Sequence, residues 1–135
     1  MFTTRFLNMI AGNAFQTQTT PAFPAALYIG LSTTAPDVDG TGYTEPSATG
    51  TAYARVRLDG LSVPNDGFVE NENIIAFEES LSSWGTVTHY LVFDAETDGN
   101  LLVFEPLEEA RSVEARTVLM FKPGEVKLGV ANEQA

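Results

Sequence analysis

The feature that most constrains the fold is a two-residue alternation of apolar and polar side chains in short segments between residues 27 and 130. The segment SVEARTVLMF at 112–121 is one example. Successive side chains of a β-strand point to opposite faces, so this period predicts strands with one buried face. Turn residues separate the segments at roughly eight-to-twelve-residue spacing. The pattern predicts an all-β fold of about seven strands, a β-sandwich of jelly-roll type.

The N-terminal segment departs from this period. Within residues 3–15, Phe6 and Met9 stand at near-helical spacing, and Thr3 or Thr4 precedes them as a capping residue. The segment has one Arg and a short, interrupted apolar stretch, so it lacks the features of a secretion signal. It predicts one short N-terminal helix that is part of the fold.

A long segment at 34–51 contains mainly Gly, Pro, Thr, Ser, Asp and Glu. It is too polar to bury an apolar face, so we expect a long loop, either exposed or ordered against a neighbouring protein. The expected organisation is an N-terminal helix and linker arm at 1–24, a β-sandwich domain at 25–131 and a polar tail at 132–135.

Composition excludes several classes of function. The 135 residues suffice for one domain, and no apolar run approaches the roughly 20 residues that span a bilayer. Cysteine is absent, which excludes disulfides, thiolate nucleophiles and Cys-ligated zinc. The formal charge of −11 repels phosphate backbones and anionic lipid. We therefore expect neither nucleic acid nor a membrane as a partner.

The segment DAETDGNLLVFE has two incompatible interpretations. Asp94, Glu96, Asp98 and Glu105 fall at positions that bind the ion in a helix-loop-helix calcium site. Asp98-Gly99 between two apolar runs is also typical of a β-hairpin turn. The preceding VTHYLVF is β-branched and aromatic, which favours the hairpin. Calcium stays an alternative, because carboxylates on one tight turn can recruit a hard cation.

Candidate catalytic groups are few. His89 is the only histidine, and a regular strand places it on an apolar face with Val87 and Leu91, which is typical of a core or interface residue. Glycoside hydrolysis needs paired carboxylates and a stacking aromatic, but we expect Trp84 to plug one end of the sandwich. We assign no catalytic residue and no cofactor, and expect no enzyme activity. The carboxylate pairs considered are Glu70/Glu72, Glu78/Glu79 and Glu108/Glu109.

Five segments resemble a family of small structural proteins of tailed bacteriophages: ALYIGLSTTAPDVDGTG, TAYARVRL, NIIAFEE, WGTVTHYLVFDAETDGNLLVFEPL and SVEARTVLMFKPGEVKLGV. Family members have an LYVALFT-like strand, a GYAR strand, a WGTVTHFGIFD strand and a GGNLL hairpin. The similarity covers roughly residues 25–130, and 84–102 is its most specific part. It implies a virion component without enzyme activity. Some members are labelled tail-fibre proteins, and others resemble jelly-roll cement proteins of phage heads.

On this resemblance we expect a capsid decoration (cement) protein that binds and stabilises the outer surface of the head. The alternative is a tail or tail-fibre component that contacts the host receptor through the 34–51 loop. A third hypothesis is a carbohydrate-binding module or glycosidase fragment that uses Trp84. Expected partners are the major capsid protein or another virion protein, and further copies of the chain as a dimer or trimer. The expected location is the virion, assembled in the host cytoplasm.

The arm and the 34–51 loop are expected to contact neighbours, because they are too polar or too short for the sandwich core. On the TAYARVRL strand, Arg55 and Arg57 share a predicted outward face with Tyr53. There they pair with acids across a strand or a subunit boundary, or face solvent. The predicted interface residues are Phe2, Arg5, Phe6, Tyr43, Tyr53, Arg55 and Arg57.

Overall fold

The computed structural model describes residues 1–17 and 21–129. These ranges contain one α-helix and eight β-strands, paired antiparallel. The elements are α1 (Thr4–Ala14), β1 (Tyr28–Ser32), β2 (Val56–Arg57), β3 (Phe68–Glu70), β4 (Ile75–Ala76), β5 (Gly85–Phe93), β6 (Leu101–Val113), β7 (Met120–Phe121) and β8 (Lys127–Gly129). The prediction of an all-β fold with one short helix is confirmed. The predicted tail at 132–135 lies outside the described residues.

The strands form three sheets within the described ranges. A four-stranded sheet has the order β2-β1-β5-β6, and two smaller sheets pair β3 with β8 and β4 with β7. Residues of all three sheets contribute to one hydrophobic core, which contains Ile29, Val87, Ile75, Phe121 and Leu128. The jelly-roll strand order stays a prediction.

The β5–β6 hairpin supports the strand interpretation of DAETDGNLLVFE. Residues 94–100 connect β5 to β6, and within this connection Asp98 and Gly99 both have positive φ angles, 55° and 73°. Asp94 braces the turn, because its Oδ1 accepts a hydrogen bond from the Asn100 backbone N at 2.7 Å. Both flanks are strands, so the helix-loop-helix alternative for this segment is wrong.

Trp84 lies inside the core, as expected. Its side chain is only 4% exposed, and its Nε1 donates a hydrogen bond to Thr51 O at 2.9 Å. Its ring packs edge-on against Tyr53, with 5.3 Å between ring centroids. A ring held this way offers no face to a sugar, so the carbohydrate hypothesis loses its stacking residue.

Two predicted strands are shorter than expected. In TAYARVRL only Val56–Arg57 pairs with β1, and Ala52 breaks the extended backbone with a φ of 64°. In SVEARTVLMF, β6 ends at Val113, and β7 begins only at Met120, with Arg116 at a φ of 64° between them. Left-handed residues interrupt the two-residue alternation, so the side chains do not follow one regular strand.

The predicted outward face for Tyr53 is wrong. The Tyr53 ring is 6% exposed and belongs to the core, and only Arg57 of the predicted trio is well exposed. The reason is that the chain before β2 is not a strand, and the 34–51 loop lies over Tyr53 and Arg55.

Candidate interaction surfaces

The 34–51 loop is ordered by its own chain. Thr44 N donates to Ser32 Oγ at 3.0 Å, which anchors the loop to β1. Thr4 N donates to Val38 O at 2.8 Å, which joins the loop to the start of α1. These hydrogen bonds order the loop, although its sequence has little apolar surface to bury.

Glu45 and Arg55 form a largely buried ion pair under this loop. Arg55 Nη2 donates to Glu45 Oε1 at 2.6 Å, and Arg55 Nε donates to Oε2 at 3.0 Å, a bidentate arrangement. The two side chains are only 6% and 18% exposed. Burial opposes the Arg55 charge, but the hydrogen bond and charge of Glu45 outweigh it, and the pKa of Arg55 is raised.

Arg55 also connects this pair to the β5–β6 hairpin. Its Cζ lies 3.4 Å from the centroid of the Phe93 ring, which is a cation–π contact. Its Nη1 donates to Ala95 O at 2.9 Å and to Asp98 O at 2.7 Å. One guanidinium therefore holds the loop, β5 and the hairpin turn in fixed relation.

Tyr53 completes the network. Its hydroxyl donates to Glu45 Oε2 at 2.5 Å and accepts from Leu31 N at 3.0 Å. Burial raises the pKa of Tyr53, and the Glu45 charge raises it further, so the phenol stays protonated. We call Glu45, Tyr53, Arg55 and Phe93 the loop–hairpin junction.

A second apolar cluster lies beneath this junction, on the face of the four-stranded sheet opposite the main core. Tyr43 from the loop packs edge-on against Phe93, with 5.4 Å between ring centroids. Its buried members are Leu91, Phe93, Leu101 and Phe104. Sequence reasoning identified Tyr43, Tyr53 and Arg55 as interface residues but missed Glu45 and Phe93, because their contacts join segments far apart in the chain.

A groove of about 360 Å³ lies between the loop and the hairpin. One wall carries Tyr43 and Pro46, and the other carries the acidic hairpin tip with Glu96 and Asp98. Arg55 lines the groove, but its donors are engaged with Glu45 and the hairpin carbonyls. The junction thus shapes this surface without presenting a free charged group from Arg55.

The four calcium candidates are spread over the hairpin. The carboxylate of Asp94 is engaged with Asn100, Glu96 and Asp98 lie on the exposed tip, and Glu105 lies in β6 beside the Met1 amino group. Within residues 1–17 and 21–129, no three such side chains converge in a way that would hold a metal ion.

The N-terminal segment covers part of the β6 edge. Phe2 forms a β-bridge with Val103, and the Phe2 and Phe6 rings meet edge-on at 5.2 Å. Thr3 is fully buried, and its Oγ1 donates to Leu101 O at 2.9 Å and accepts from Phe6 N at 3.3 Å. This hydroxyl caps α1 and fixes it to the sheet. Phe2 and Phe6 are half-buried, and Arg5 is exposed.

The outward side of α1 and its C-cap expose two large apolar side chains. Leu7 is 51% exposed and Phe15 is 82% exposed. Arg5 is the only charged residue among the first 36 residues, while the chain carries a formal charge of −11. Large exposed apolar side chains on a segment without acidic residues make this helix a candidate contact surface of an acidic protein.

His89 lies where the pairing of β5 with β6 shifts register, between Val87 and His89. Its Nδ1 lies 2.8 Å from Thr88 Oγ1. Burial lowers the pKa of His89, and the Glu105 charge opposes this shift. The carboxylate pairs Glu70/Glu72, Glu78/Glu79 and Glu108/Glu109 all lie on exposed residues.

The single helix within residues 1–17 and 21–129 lacks the length and hydropathy needed to cross a membrane.

The described residues form a small antiparallel β protein in which loops and a helix are fixed around a core by buried polar contacts. A family model described as podophage GP4 fiber I protein gp80 matches residues 3–129. The chain belongs to this family and is a bacteriophage structural protein. The expected resemblance to phage structural proteins is confirmed at this level. No curated protein matches the chain.

Proposed function

We propose that the protein is a non-enzymatic subunit of the phage fibre apparatus, located in the virion and acting through contacts with other virion proteins. The observation that supports this most is the family match over residues 3–129, whose description names a fibre protein. The fibre role, which ranked second on sequence grounds, therefore becomes the first candidate.

The loop–hairpin junction supports a role in recognition by a preformed surface. Binding costs less free energy when the contacting loops are already ordered. Arg55 holds the 34–51 loop and the hairpin tip together before any partner arrives. We propose that the groove edge presented by Tyr43 and the acidic tip contacts a receptor or a neighbouring fibre subunit.

Apart from Tyr43, the predicted interface residues divide into three groups. Arg5 and Arg57 are exposed and are proposed as direct contacts. Tyr53 and Arg55 are buried and would act by positioning the loop. Phe2 and Phe6 are half-buried and would hold α1 against β6, so that its apolar outward side faces a second virion protein.

Capsid decoration, the function preferred from sequence, is the second candidate. The formal charge of −11 and the apolar side of α1 suit a coat protein that binds the major capsid protein on one side and faces solvent on the other. Repeated modest contacts would stabilise the particle by mass action. In either role the subunit would be assembled into particles in the host cytoplasm.

Copy number separates the two roles. Quantitative mass spectrometry of purified particles, with the major capsid protein as the internal reference, counts this chain per virion. A few to a few tens of copies support the fibre role, and hundreds support decoration. A chain absent from purified particles contradicts both.

A further inference from the structure

The paired strands β4 and β7 carry apolar side chains on both faces. Their inward residues are buried, with Ile75 at 6%, Phe77 at 2%, Leu119 at 3% and Phe121 at 2% exposure. The register pairs Ile75 with Phe121, and Phe77 N donates to Leu119 O at 2.9 Å. This face is part of the core.

The opposite face of the same strands is apolar and open. Ile74 is 58% exposed, Val118 43% and Met120 39%, and Ala76 between them is also exposed. We call these four residues the β4–β7 outer face. A solvated strand face normally carries polar residues, so four adjacent apolar side chains indicate a contact surface.

The outer face is available for packing, while the edge of β7 is blocked. Met120 pairs with Ala76, and its carbonyl oxygen accepts a hydrogen bond from Arg111 Nη1 at 2.6 Å. Arg111 in turn lies 3.3 Å from Glu125 Oε2. A charged side chain at an edge discourages the addition of another strand.

Opposite charges stand at the two ends of the outer face. The register pairs Ile75 with Phe121 and Ala76 with Met120. Continued by one step past Ile75, it would set Lys122 beside Ile74, and continued by two steps past Ala76 it would set Glu78 beside Val118. The two charges would then lie diagonally across the apolar centre. Residues 111–122 contain three of the seven cationic residues and one acid, in a chain of formal charge −11. The facing segment 72–79 carries three acids and no cation, so the two segments together hold three cationic and four acidic residues and are close to neutral.

We propose that a second copy of this chain packs on the β4–β7 outer face in an isologous dimer. A two-fold axis that lies in the interface and runs across the strands brings Lys122 of one copy within reach of Glu78 of the other, twice by symmetry. Sheets that pack face to face cross at about 30° and lie about 10 Å apart, which suits small and medium apolar side chains at the centre.

A second copy fits this face better than another occupant because the face complements itself. An acidic partner would pair only with Lys122, and a basic partner would pair only with Glu78. The inference goes beyond the fibre role and depends only on the chemistry of the outer face.

Sedimentation equilibrium of the full chain over a range of concentrations tests the dimer. We expect a concentration-dependent monomer–dimer equilibrium for the natural chain and a monomer for Met120→Asp, which buries a charge at the apolar centre. The matched control is Val63→Asp, a change at an 83% exposed apolar residue outside the face, which should leave the equilibrium unchanged.

Charge reversal tests the orientation. Lys122→Glu and Glu78→Lys alone should each weaken association about tenfold, since each replaces two attractive pairs by two repulsive ones. The double variant should restore most of the natural affinity. Circular dichroism checks that every variant is folded.

The proposal would be overturned by a natural chain that is monomeric at all accessible concentrations, by a Met120→Asp variant that still dimerises, or by a double reversal without rescue. A monomeric chain that binds particles through this face would also overturn it, and would assign the face to another virion protein. The copy-number experiment is unaffected by these outcomes, so the two proposals fail independently.

Discussion

Arg55 and Glu45 are joined by two hydrogen bonds, Nη2 to Oε1 at 2.6 Å and Nε to Oε2 at 3.0 Å, beneath a loop that has no strand or helix of its own. The guanidinium also covers the Phe93 ring. A polar Gly- and Thr-rich loop is thereby held on the β-sheet by a buried charge pair, with one ring contact from Tyr43.

Arg55→Ala should destabilise the protein by about 3 kcal/mol, because it leaves the Glu45 carboxylate buried without its partner. Urea denaturation measures the loss. The matched control is Arg57→Ala: Arg57 forms an exposed pair with Asp59 at 3.4 Å, and its loss should cost less than about 1 kcal/mol. Adding Glu45→Gln to Arg55→Ala should recover part of the stability. Equal losses at Arg55 and Arg57 would contradict this account of the junction.

Thr3→Val should cost about 1 to 2 kcal/mol. The substitution keeps the shape of the side chain but removes the buried hydroxyl that caps α1 and bonds Leu101 O. Thr4→Val, at an exposed position one residue later, should change the free energy of unfolding by less than about 0.5 kcal/mol. Thermal or urea unfolding compares the two. Indistinguishable variants would mean that the N-terminal segment is not fixed to β6 in solution.

The lowered pKa of His89 predicts a pH dependence of stability. Its pKa in the folded state lies below the ordinary value of 6.5, so the unfolded chain binds a proton more readily. The contribution of neutral His89 to the free energy of unfolding is complete above about pH 6.5, and it is lost as the pH falls towards the pKa of His89 in the folded state. His89→Gln should remove this part of the profile, which we expect to be under about 1 kcal/mol because the ring is partly solvated. Urea denaturation from pH 5 to 8 measures it, and identical profiles for both chains would refute the assignment.

Calcium should leave the melting temperature unchanged. The Asp94 carboxylate already accepts hydrogen bonds from both nitrogens of Asn100, and the hairpin tip is exposed. Differential scanning calorimetry with added calcium and with a chelator tests this. Asp98→Asn is the control, because Asn also tolerates the positive φ angle of the turn. A rise of several degrees with calcium that disappears in Asp98→Asn would establish a metal site.

Local patterns in the sequence were sufficient where the chain follows a local rule. Asp98-Gly99 specifies a hairpin because both residues tolerate positive φ, and the structure has both there. Thr3 caps the predicted helix, and the single Trp84 is in the core, as expected. In each case the determining contacts lie within a few residues or follow from the size of the side chain.

The loop–hairpin junction could not be predicted, because its contacts join residues that are far apart in the sequence. Glu45 and Arg55 are ten residues apart in the sequence, and the Arg55–Asp98 contact spans 43 residues. Periodicity carries no information about such pairs. It also placed Tyr53 outward by assuming an unbroken strand, while Ala52 at a φ of 64° ends the regular backbone just before it.

An electron-microscopy map of the intact phage particle tests the central claim most directly. The account expects density for this fold at symmetry-related positions in a fibre or its attachment to the tail, with the 34–51 loop and the hairpin tip directed at a neighbour or outward. Density on the head surface at hundreds of positions would contradict the fibre role, and its absence from every part of the particle would contradict the identification as a virion structural protein.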